Sequence, residues 1–108
     1  MEFLVLMKLA ENGIGKNDEE NREILEKKMI PSIEMLISMA EEGMLSGGFF
    51  EGQRSAAFVM SVEDEDTLDN TLAELPCASI FEMEVVQLEG LTDSLKRDQR
   101  SLKALKKA

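Results

Sequence analysis

The run from Arg54 to Leu88, RSAAFVMSVEDEDTLDNTLAELPCASIFEMEVVQL, sets two strand patterns on either side of one helix pattern without a linker between them. Ala56, Phe58, Met60 and Val62 alternate with Ala57, Val59 and Ser61, the period of two that a strand requires, and both faces are apolar enough to be covered. Leu68, Leu72 and Leu75 then recur at helical spacing. The carboxylates from Glu63 to Asp66 stand where the N–H groups of a helix start point outward. Pro76 stops that helix, because proline has no N–H to donate and crowds the preceding turn. From Ile80 to Leu88 alternation returns, with Phe81, Met83 and Val85 on one side and Glu82 and Glu84 on the other.

The segment before this run supplies the missing half. Phe3, Val5, Met7 and Leu9 alternate with Leu4, Leu6 and Lys8, which predicts a first strand covered on both faces over most of its length. Asn17 followed by Glu20 reads as a capped helix start. Ile24, Leu25, Met29, Ile33, Leu36, Ile37 and Ala40 form one apolar stripe, closed by Gly43 as C-cap. Pro31 interrupts the stripe without changing its phase, so a single helix kinked near Met29 to Ser32 is expected. Met44 to Gln53, with Gly47 and Gly48, reads as a short strand turning at Gly52.

The resulting order is strand, helix, strand, strand, helix, strand. It predicts an α+β domain over residues 1–90 with a ferredoxin-like βαββαβ topology: a four-stranded antiparallel sheet carrying two helices on one face. The other face would be left bare and partly apolar through Leu4, Leu6, Ala57 and Val59. A bare apolar face of this kind marks an interface, and the simplest partner is a second copy whose sheet faces the first across a shared cavity.

Residues 91–108 differ in character from the rest. Leu91, Leu95, Leu102 and Leu105 lie at offsets of four, seven and three, with Asp98 in the vacant apolar slot, so an amphipathic assembly helix capped by Thr92 or Ser94 is expected. Alone, a helix this short is marginal in water, so it should lie on its own domain or on a neighbouring subunit. Charge divides the chain at the same point: residues 1–90 carry 6 Lys/Arg against 20 Asp/Glu, a balance of −14, and residues 91–108 carry 6 against 2, a balance of +4.

This acidic balance argues against nucleic acid as a partner, since phosphate neutralisation needs a basic face. No apolar run approaches the ~20 residues that span a bilayer, and the basic helix is set against anionic lipid by the charge of the body, so no membrane partner is expected. The single cysteine, Cys77, and an N-terminus without the pattern of a secretion signal point to the cytoplasm. Glu63-Asp64-Glu65-Asp66 lacks the glycine and terminal glutamate of a calcium loop, and Gly13-x-Gly15-Lys16 lacks the spacing of a phosphate loop. Neither a metal nor a cofactor is expected.

Four motifs carry a family resemblance: Phe3-x-Val5-x-Met7, the Glu42-Gly43 helix end, Thr71-Leu72-x-x-Leu75-Pro76, and Phe81-Glu82-Met83-Glu84-Val85-x-x-Leu88. Together, over about residues 3–88, they resemble the muconolactone isomerase family. The resemblance implies a dimeric ferredoxin-like α+β barrel that builds larger rings. It also implies a cofactor-free shift of a carbon–carbon double bond in a small lactone or organic acid. The chain departs from the family at Phe49 and Phe50, where members carry an aromatic-basic pair, and at Leu4 and Leu6, where polar residues enter the cavity. In this reading Glu82 and Glu84 are the candidate acid/base pair, because burial beside a like charge favours a protonated carboxyl. Arg54 is the candidate anchor for a substrate carboxylate. Glu51, Phe50, Leu4 and Leu6 complete the candidate substrate-binding set. The alternative is a non-catalytic oligomeric module that binds a small apolar ligand or a protein partner.

Overall fold

A computed structural model describes residues 1–107 of the chain. The strands are β1 (Glu2–Leu9), β2 (Leu45–Phe49), β3 (Ala56–Ser61) and β4 (Phe81–Leu88). The helices are α1 (Asp18–Ile24), α2 (Ile30–Glu41), α3 (Glu65–Ala73) and α4 (Leu91–Lys107). All strand pairs are antiparallel and the sheet order is β2-β3-β1-β4. The architecture is therefore α+β, and it is compatible with a ferredoxin-like arrangement.

Local chemistry fixes the helix ends. The Asn17 side chain accepts a hydrogen bond from the Glu20 N–H at 2.9 Å, and Glu20 in return accepts from the Lys16 N–H. At the other end Gly43 adopts φ 79°, its N–H bonds the Ala40 carbonyl, and the Met44 N–H bonds the Met39 carbonyl. This pair of bonds is the Schellman closure that a left-handed glycine permits. Asp64 caps α3 by accepting from the Thr67 N–H at 2.7 Å. That hydrogen bond holds its carboxyl below the usual carboxylate range.

Between α1 and α2 the helix does not break. Leu25–Met29 forms a π turn, with the Ile30 N–H reaching back to the Leu25 carbonyl, and Pro31 sits at the start of α2. An extra residue in the turn before proline relieves the crowding of its ring against the preceding carbonyls. Ser32, just after it, is buried and joins two elements: its Oγ donates to the Lys28 carbonyl at 2.6 Å and accepts from the Cys77 N–H at 2.8 Å. Through this contact the proline-bearing turn is tied to the loop after Pro76. Desolvation in the same place pushes the Cys77 thiol up.

The core lies on one side of the sheet. Phe3, Val5 and Met7 of β1, Phe58 and Met60 of β3 and Phe81 of β4 pack with Met29 and Leu36 and with Leu68 and Leu72 from α3. The intervening residues point the other way, and no helix of residues 1–90 covers them.

The tail is helical from Leu91. Thr92 and Ser94, expected as caps, lie inside the helix; the first turn is closed instead by the Ser94 N–H on the Gly90 carbonyl at 3.0 Å. Glu89 holds the base of α4, accepting from Ser94 Oγ and forming an ion pair with Arg97 at 2.6 Å. Beyond that point α4 projects away. The chain is 67 Å long against 28 and 25 Å across, with a radius of gyration of 18.3 Å, where a compact chain of this length has about 13 Å. Of the two expected settings for this helix, the one against its own domain is not taken.

Candidate functional site

Register makes the uncovered face readable residue by residue. Leu4 of β1 stands between Val59 of β3 and Val86 of β4, and Leu6 stands between Ala57 and Glu84. Lys8, next along β1, stands opposite Glu82. The face is thus apolar in its middle and charged towards the end of β1.

At that charged end Leu6, Lys8, Phe50, Ser55, Glu82 and Glu84 line an open groove of ≈ 480 Å³. Three features of the backbone build it. Alternation along β4 sends Glu82 and Glu84 to the face opposite Phe81 and Met83, about 7 Å apart by strand rise. Pairing places Lys8 directly across from Glu82, where side chains on neighbouring antiparallel strands approach to about 5 Å at Cβ. The hairpin between β2 and β3 folds Phe50 back, its N–H donating to the Ser55 carbonyl at 2.8 Å, and Gly52 makes the turn with φ 70°.

Four of the seven residues singled out from sequence therefore meet in one groove: Glu82, Glu84, Leu6 and Phe50. Leu4 lies on the same face one step farther from the charges. Arg54 and Glu51 are elsewhere. They share a shallow depression at the hairpin with Ile33, Phe49, Gln53 and Phe50, which thus borders both it and the groove, and Arg54 also borders an apolar recess of ≈ 220 Å³ beside the π turn, among Leu9, Ile24, Leu25 and Ile80. Gly52 turns the chain between Phe50 and Arg54, and of the two only Phe50 reaches the groove.

Sequence reasoning did not select Lys8 or Ser55. Lys8 shares the parity of Leu4 and Leu6 on β1, so alternation alone assigns it to the bare face, and it supplies the cation that Arg54 does not. Both carboxylates and Lys8 are exposed in a single copy. Among the described residues no group of three or more acidic, cysteine or histidine side chains is arranged to hold a metal, and no helix is long and apolar enough to cross a membrane. Comparison with models of known families and with curated proteins finds no match to this chain.

Proposed function

We propose that the chain works as a two-copy binding protein for a small organic acid or lactone, with a proton-transfer reaction of the muconolactone isomerase type at the Glu82–Glu84 end of the uncovered sheet face. The observation that carries this reading is the convergence of two carboxylates, one ammonium group, an aromatic ring and a leucine around a single groove. Lys8 would hold the anionic group of the ligand. Phe50 and Leu6 would cover its apolar part.

The chemistry needs no cofactor. One carboxylate takes a proton from the carbon beside the ligand carbonyl, and the electron pair moves into an enolate that Lys8 stabilises. The carboxylic acid so formed returns its proton to a carbon farther along the conjugated system, the double bond moves, and the carboxylate is regenerated. A second copy closing over the groove would supply the desolvation that makes a carboxylate pair effective, since a carboxyl removed from water beside another holds its proton more tightly.

The test is a panel of unsaturated lactones and short organic acids, followed first by thermal shift and then by NMR in D₂O. Binding raises the melting temperature by mass action, and turnover incorporates deuterium at the carbon that loses its proton. Glu82→Gln and Glu84→Gln should retain binding and reduce exchange at least about a hundredfold, within the range for loss of a general base. Ligand binding with no exchange in the unmodified protein would leave a binding module without catalysis. No stabilisation by any ligand, with Lys8→Gln behaving as wild type, would remove the groove as a site.

A further inference from the structure

We infer that α4 is an exchanged arm: its leucine stripe lies across the uncovered sheet face of a second copy of this chain and closes the groove there. The inference rests on the two-copy reading above and adds to it the surface that does the covering. Two apolar surfaces of the molecule are unpartnered, and they suit each other. Leu91, Leu95, Leu102 and Leu105 are exposed by 88%, 57%, 52% and 74%, so the apolar face whose packing supplies most of a helix's stability has no partner in its own copy. The sheet face offers Leu4, Leu6, Ala57, Val59 and Val86 in adjoining rows.

The dimensions agree. At 1.5 Å per residue α4 is about 25 Å long, and an eight-residue strand such as β1 is about 26 Å long. Two reciprocal helices about 10 Å across cover a footprint of roughly 500 Å², more than half of the ~800 Å² that one partner contributes to a standard interface. The first turn of α4 is held by Glu89 at the far end of β4, so the stripe is carried clear of its own sheet and towards another molecule.

Charge selects the occupant. The tail carries +4 and the body −14, so the arm is drawn to a second body and repelled by a second arm. Pairing of two arms is disfavoured on a further count. Asp98 falls in the seam of the leucine heptad, the flanking positions Thr92, Gln99, Ser94 and Ser101 offer no complementary charges, and the helix is short of the three to four heptads a coiled coil sustains. Lys96, Arg100 and Lys103 lie away from the seam and stay in solvent when the leucines dock. Anionic lipid, the other surface a basic amphipathic helix can meet, is opposed by the body's charge.

The test uses the full chain. Light scattering on the wild type should give a two-copy mass, and Leu95→Asp with Leu102→Asp, both on the exposed stripe, should weaken association about a hundredfold or more, two factors of ten for two charges placed in a buried seam. A spin label on Gln99→Cys, mixed with an isotope-labelled unmodified copy, should broaden the amide signals of Leu4, Leu6 and Val59. A dimer that survives the double substitution overturns the arm and leaves the two-copy reading standing. A wild-type monomer at millimolar concentration overturns both. Broadening confined to α4 residues, or a monomer that sediments with anionic vesicles only when the leucines are intact, also overturns the assignment of the sheet face.

Discussion

The two sides of this sheet are built from neighbouring residues and have opposite fates. Phe3 and Leu4, or Met60 and Val59, are adjacent along one strand; Phe3 and Met60 are 1% and 0% exposed, whereas Leu4 and Val59 are only partly buried, on a surface with no layer above it. One side has filled its space with helix side chains. The other has apolar residues with nothing in the same copy to bury them. Stability therefore belongs to the covered side, and the bare one is left with apolar surface that a single copy does not bury.

The sharpest way to break that contrast is truncation of adjacent residues. Phe3→Ala should cost about 3–5 kcal/mol, the range for a large residue removed from a packed core. Leu4→Ala should stay within about 1 kcal/mol in a dilute, monomeric sample. Equal losses in urea denaturation would mean that both faces are filled. The neighbouring glycines of β2 repeat the comparison at smaller scale. Gly47 has φ 110°, and a Cβ there would lie 2.2 Å from the Ala57 carbonyl oxygen, whereas a Cβ on Gly48 meets nothing within 4 Å. Gly47→Ala should therefore destabilise by at least about 1–3 kcal/mol, the cost of a strained backbone alone, and Gly48→Ala should be close to neutral.

Ser32→Ala probes the polar seam of the covered side. It would strand the buried Cys77 N–H, with an expected cost of about 1–3 kcal/mol, while Ser46→Ala on β2 should leave the melting temperature unchanged. The smallest effect expected is a pH dependence. Burial holds the Cys77 thiol neutral, so the native state binds a proton that the unfolded state begins to release near the ordinary thiol value of about pH 8.5. That contribution is complete below this pH and is withdrawn as pH rises further. A Cys77→Ala variant should show a flatter loss of stability on the alkaline side, and the native thiol should react slowly with a disulfide reagent until the protein unfolds.

Much of this division is legible in the sequence. Alternation along β1, β3 and β4 assigns each residue to a face, because the period of a strand is fixed by the backbone itself. Asn17 and Gly43 mark helix ends through chemistry contained within a few residues, and so they read directly. What escapes is non-local or depends on turn geometry. Pro31 announces a disturbance, but whether a helix answers with a kink or with a π turn is decided by packing around Met29 and Ser32. Arg54 is close in sequence to Phe50 and shares the hairpin depression with it, yet does not reach the groove, and Lys8, far away in sequence, is brought to the carboxylates by pairing of β1 with β4. The direction taken by α4 rests on a local clasp at Glu89 that periodicity does not encode.

β4 closes the sheet on one margin, and that position gives its glutamates a duty separate from any proposed chemistry. An eight-residue strand at a margin exposes a row of free N–H and C=O groups that any extended chain can pair with, and flanking charge is among the devices that discourage such growth. Neutralising Glu82 and Glu84 together would strip this strand of that guard, leaving Met83, Val85 and Val86 in a low-charge segment. Loss of solubility in the doubly neutral protein, with fibrils growing from an otherwise native fold, is the outcome that follows from placing charged residues at an open border.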